Sequence, residues 1–211
     1  MSLKSIYKQN RFFFYGYFLL ALIAIYILIF YSKANGFYLM NPIHSRFLNE
    51  IFIPFTYLGH GLFLIPLCII LFLFKKKFLS LMIFSSYALS GIIVQVLKYF
   101  ILEARPAYFL EKTNYPYFID HVTLHNFHSF PSGHATSAFA LAAILSFSLR
   151  NKDYSLFFLI MAALVGYSRL YLGQHFIDDV FVGSFIGMLS SIFCWIYLEN
   201  YFKKILKLKV S

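Results

Sequence analysis

The run FFFYGYFLLALIAIYILIFY, residues 12–31, holds twenty residues without a charge. A helix that crosses a bilayer needs about 20 mostly apolar residues, since each adds about 1.5 Å across about 30 Å of hydrocarbon. Five more apolar runs follow, at 54–74, 78–101, 134–149, 155–172 and 178–198, the fourth and fifth being the shortest. The expected fold class is therefore all-α, an integral membrane bundle of six transmembrane helices. Composition agrees: at 61% hydrophobic and 12% charged, the chain is too apolar for a water-soluble domain. The first run is longer than the core of a cleaved secretory signal and is read as a span. Cys68 and Cys194 lie inside apolar runs placed apart, as small packing residues and not as a disulfide.

A net charge of +10 suggests nucleic acid at first sight. The basic residues instead form short clusters between apolar runs, which excludes nucleic acid as the expected partner. Lys4, Lys8 and Arg11 precede the first run, Lys75–Lys77 join the second to the third, Arg150 and Lys152 join the fourth to the fifth, and Lys203, Lys204, Lys207 and Lys209 follow the sixth. These 12 of the 18 Lys and Arg fall on one side, which the positive-inside rule makes cytoplasmic, with both termini. The others, Lys33, Arg46, Lys98, Arg105, Lys112 and Arg169, lie at the outer ends and need another explanation.

Four segment ends converge there. The third run closes with KYFILEARP, Lys98 to Pro106, and the fourth opens with PSGHATS, Pro131 to Ser137. The fifth ends with Ser168 and Arg169, and the sixth opens with HFIDD, His175 to Asp179. Lys98 and Arg105, seven apart, share a face if the helix persists. Arginine forks suit tetrahedral oxyanions, above all phosphate. Ser132 and Gly133 stand at a helix start, where free N–H groups and the helix dipole favour an anion. His175 and Asp179, four apart, bring imidazole to carboxylate, which fixes the tautomer and leaves the other nitrogen as base or nucleophile. His134 comes from a different helix and can supply a proton to a leaving group. Asp178 is expected to act as a helix-start cap, since adjacent acids point about 100° apart.

The ordered motifs K-x6-RP (Lys98, Arg105, Pro106), PSGH (Pro131–His134) and SR-x5-H-x3-D (Ser168, Arg169, His175, Asp179) resemble the type-2 phosphatidic acid phosphatase superfamily, whose relatives include vanadium haloperoxidases. The resemblance implies one membrane-embedded phosphatase domain, 1–211, with its motifs in 98–179. It implies that His175 attacks phosphorus and forms a phosphohistidine, that Asp179 orients His175, and that His134 protonates the leaving oxygen. Lys98, Arg105, Ser132, Gly133 and Arg169 then hold the phosphate. No metal or other cofactor is implied.

Several features have plainer readings. His121, His125 and His128 in the 107–130 loop have spacing that could suit zinc, but no cysteine or acid cluster supports it. The aromatic residues of that loop suit a membrane interface. His60, between Gly59 and Gly61, reads as a packed polar residue. GSFIG at Gly183–Gly187 reads as close helix packing, within the bundle or between chains. Segment 36–53 has the look of a short interfacial helix, and the tail KKILKLK could touch anionic lipid.

The expected function is metal-independent dephosphorylation of a lipid phosphate or diphosphate, in the bacterial inner membrane, with the site facing the periplasm. Undecaprenyl diphosphate, lipid A phosphate, phosphatidylglycerol phosphate and phosphatidic acid all carry the group that the site would grip, and the first two fit an outer-leaflet site best. An anion transporter or channel would leave His175–Asp179 without work, and an inactive scaffold would not need the full motif set. The expected partners are the lipid substrate and membrane lipids; an oligomer is possible, and nothing in the sequence indicates one.

Overall fold

The computed structural model describes residues 2–110, 115–119, 122–149 and 151–207, whose regular elements are all helices, without a strand among them. In chain order the helices are α1 (Leu3–Gln9), α2 (Arg11–Phe30), α3 (Lys33–Met40), α4 (Arg46–Phe55), a 3₁₀ turn (Thr56–Gly59), α5 (Gly61–Leu73), α6 (Lys77–Phe100), α7 (Pro106–Phe109), α8 (Gly133–Ser148), α9 (Tyr154–Tyr171) and α10 (Ile177–Ile205). Serines set several starts: Ser2, Ser32, Ser45 and Ser132 each accept a hydrogen bond from the amide three residues on. These bonds satisfy donors that a helix start leaves free.

α8 lies at the centre, flanked by α6, α9 and α10. Its inward positions are mostly small, including Ala135, Ala138, Ala140, Ala142 and Ala143, all buried. Helices in lipid gain little from burying apolar surface and depend on close packing, so small residues win the central positions. At Gly187 of α10 a Cβ would stand 2.2 Å from the Thr136 carbonyl oxygen, so only glycine lets α10 come this near α8. The GSFIG segment thus packs inside the bundle. Ser191 Oγ adds hydrogen bonds to Ser86 Oγ at 2.7 Å and to the Ala140 carbonyl at 3.0 Å. Such a bond contributes only about 0.6 kcal/mol on average inside a membrane, so packing dominates. α2 is peripheral: only 17% of its most apolar window is buried, and Phe18, Leu19 and Ile29 face outward. Cys68 and Cys194 are buried free thiols.

This is a multi-pass membrane protein, though the spans differ from the six expected. By length and composition α2, α6, α9 and α10 can cross a bilayer. The expected span 54–74 is a pair, Arg46–Gly59 and Gly61–Leu73, bent by 57° and able to count as a fifth. α8 has 16 residues, about 24 Å of helix, and is too short by that measure. As the enclosed central helix it meets protein on its flanks and need not span the lipid by itself. Segment 36–53 is no single interfacial helix; it holds the end of α3 and most of α4.

The two ends of the bundle carry different groups. Lys75, Lys76, Lys77, Lys203 and Lys207 line one cavity at one end, beside Gln9 and Ser148. The motif residues gather at the other end.

Candidate active site

His175 lies in the short link between α9 and α10. Its backbone N–H and that of Gln174 both donate to the Arg169 carbonyl, at 3.2 and 3.0 Å, which turns the chain sharply after α9. The side chain then meets Asp179: His175 Nδ1 is 3.3 Å from Asp179 Oδ2. The i,i+4 pair was expected from two helical positions, but His175 precedes α10. What joins the pair is the helix start, because Asp179 Oδ2 also accepts the Phe176 N–H at 2.8 Å. Asp179, and not Asp178, is therefore the capping acid. Asp178 instead pairs with Lys33 Nζ at 3.0 Å. Ser129 Oγ donates to the same Asp179 oxygen, a contact between residues 50 apart that no spacing announced.

Arg169 is buried, and its Nη1 donates to Thr56 Oγ1 of the 3₁₀ turn at 2.7 Å. Its Nε, also buried, finds no acceptor among the described residues. Buried donors are rarely left unpaired, so this one points to a ligand. Lys98 is on α6 and Arg105 is not, because the helix ends at Phe100; they converge through the extended segment between them. Lys98 Nζ donates to the His128 carbonyl. Arg105 donates through Nε to the Phe127 carbonyl at 3.1 Å and through Nη1 to Gln174 Oε1 at 3.0 Å. Gln174, buried and itself donating to the Thr123 carbonyl at 3.1 Å, orients Arg105 and was not foreseen.

Lys98, Arg105, Gly133, His134, Arg169 and His175 line one cleft of about 460 Å³, together with Thr56, Tyr57, His60, His125 and Gln174. Among the described residues no carboxylate lines it. Asp179 stands behind His175, fully buried. Ser132 is also fully buried and uses its Oγ to cap α8, accepting from Ala135 N at 3.4 Å, so its hydroxyl is turned away from the cleft. Burial pushes the His175 imidazole well below its ordinary value, and Arg169, Arg105 and Lys98 push it further. The ring is thus neutral, with its second nitrogen free to act. Burial lowers Arg105 from its usual value, with Asp179 pulling the other way.

Behind the cleft, Lys33 bridges Glu103 and Asp178 and lies 4.6 Å from the Phe176 ring centre. Burial works against the Lys33 charge, but its hydrogen bonds to Glu103 and Asp178 outweigh that and raise it. Glu103, Asp178 and Asp179 form an acidic group that this ammonium answers. For the zinc reading of the loop, His121 lies outside the described residues. His125 lines the cleft, and His128 Nδ1 is 3.2 Å from the Lys98 carbonyl.

A neutral imidazole on a buried carboxylate, a second histidine and three cations around a cleft that no described carboxylate lines can move a phosphoryl group. Comparison with known proteins gives the same direction. The sequence pattern described as the PAP2 superfamily matches residues 79–203. Phosphatidylglycerophosphatase B of Bacillus subtilis (strain 168) is 31% identical over 162 residues, 70% of this chain and 73% of that one. Lipid A 4'-phosphatase of Porphyromonas gingivalis is 34% identical over 148 residues, 64% of this chain and 60% of that one. The crystal structure of Aquifex aeolicus LpxE superposes with a TM-score of 0.65 at 33% identity, covering 78% of this chain and 95% of that one.

Proposed function

The chain belongs to the PAP2 superfamily, and from that premise we propose that it hydrolyses a lipid phosphate or diphosphate through a phosphohistidine, as one domain. It is a lipid phosphatase, as its relatives are. His175 attacks phosphorus with its free nitrogen while Asp179, held by Ser129 and the Phe176 N–H, accepts from Nδ1 and balances the imidazolium that forms. His134, protonated once a bound phosphate offsets the burial and the Arg169 charge that otherwise keep it neutral, gives its proton to the departing oxygen, and the freed nitrogen then activates the water that releases phosphate. Lys98, Arg105 and Arg169 grip the phosphoryl oxygens, with the Gly133 N–H at the start of α8 as a further donor, while the Ser132 N–H is held by the Asp179 carbonyl at 3.0 Å. No step calls for a metal.

The observation that carries this reading is the Nε of Arg169, without an acceptor among the described residues, on a cleft that no described carboxylate lines, beside a neutral His175. An anion channel would give the His175–Asp179 pair nothing to do. The lysine-rich end, read as cytoplasmic by the positive-inside rule, supports a cleft at the outer face of the inner membrane. The substrates that fit there are lipid A phosphate and undecaprenyl diphosphate, with phosphatidylglycerol phosphate and phosphatidic acid as further candidates.

Purified protein in detergent with a chelator should release phosphate from a panel of these lipids. His175→Ala should lower release by at least about 10³-fold. Release unchanged in His175→Ala would end the proposal.

A further inference from the structure

The turn between α4 and α5 holds a histidine with more to do than packing. His60 breaks the bent pair at 57° and lines the cleft beside Thr56 and Tyr57. Its ring centre lies 5.1 Å from that of His134, the planes inclined at 59°. Its Nδ1 accepts the Leu62 N–H at 3.1 Å, so the proton of the neutral ring is on Nε2. Nε2 is thus a donor, and it is the nitrogen left for the cleft.

The turn is pinned to the site twice. Thr56 Oγ1 accepts from Arg169 at 2.7 Å. At Gly59 a Cβ would stand 2.6 Å from the His134 carbonyl oxygen, so glycine alone permits this approach to the start of α8. Capping α5 needs neither contact; together they fix His60 against His134.

Resting on the phosphatase reading, we propose that His60 selects lipid diphosphates by contacting the phosphate on the leaving side. His134 protonates the leaving oxygen, and His60 stands next to His134. In a monoester that oxygen carries carbon, with nothing for a donor to meet. In a diphosphate it carries a second phosphate with negative oxygens. His175 forms a bond to the terminal phosphorus, the bridging P–O bond breaks, and its electron pair stays with the bridging oxygen. That oxygen takes the His134 proton and leaves as lipid monophosphate. His60 Nε2–H donates to its phosphate and keeps its proton throughout.

The test compares farnesyl diphosphate with farnesyl monophosphate in detergent micelles, following phosphate release and thermal stability. His60→Asn can still cap α5 through Oδ1 but loses the Nε2 donor. It should lose about 10- to 100-fold in kcat/KM on the diphosphate and less than about threefold on the monophosphate, at unchanged Tm. His60→Gln, which offers an N–H at the Nε2 position, should restore much of the diphosphate rate. Equal loss on both substrates, no loss on either, or no rescue by Gln at a normal Tm would overturn the proposal while leaving the phosphatase intact. A wild type that releases phosphate from neither substrate, nor from any lipid phosphate of the panel, would overturn the phosphatase reading itself.

Discussion

Both ends of the bundle are rich in cations, and they hold them in opposite ways. At one end Lys75, Lys76, Lys77 and Lys207 are exposed around a wide cavity, and Lys203 pairs with Glu199 at 2.8 Å. At the other end Arg169 is buried, tied to Thr56, and keeps one donor unpaired. Arg105 and Lys98 are half-buried and hold loop carbonyls. Exposed ammonium groups are hydrated and screened, so they report topology more than chemistry. Buried, pre-aimed donors lose little further freedom when an anion arrives, which is what transition-state binding requires. The sign of the charge is common to both ends; burial and fixed geometry separate them.

The contrast can be broken most directly at Arg169. Arg169→Ala should lower kcat by about 10²- to 10³-fold, as loss of a pre-organised donor does elsewhere. Phosphate release on detergent-solubilised protein measures it, and a loss below tenfold would put Arg169 with the topology lysines. A smaller effect tests the field. His175 must be neutral to attack, and its depressed pKa keeps it so as pH falls below the ordinary imidazole value. Arg105→Gln removes one of the charges that depress it, so the His175 pKa should rise and the acid limb of kcat/KM should move to higher pH. A profile from pH 4 to 8 whose acid limb stays fixed would show that Arg105 does not act on His175. The smallest effect belongs to the other end. Lys75→Gln with Lys76→Gln should change turnover per folded molecule by less than about twofold, and a tenfold loss would collapse the comparison.

Much of the site could be read from residue order. Lys98, Arg105, Gly133, His134, Arg169 and His175 share one cleft as their motifs implied, and Asp179 reaches His175. Ser132 behaves as a helix cap, a role the same position in the motif equally allows. Of the two acids, Asp179 meets His175 as expected but also takes the capping role expected of Asp178, which is claimed by Lys33 from 145 positions away. Nothing in HFIDD reveals that partner. Gln174, Ser129 and Thr56 were missed for the same reason: each acts through a residue far along the chain, on Arg105, Asp179 and Arg169.

From its residues alone the chain disclosed a helical membrane protein, the order of its apolar runs and the family motifs at their ends. Those features are local, set by hydrophobic length and by residues a few positions apart. The bend at His60, the short enclosed α8 and the pairing of Asp178 with Lys33 depended on the folded bundle. They arise from contacts between distant segments, where the room around a side chain decides what it can do.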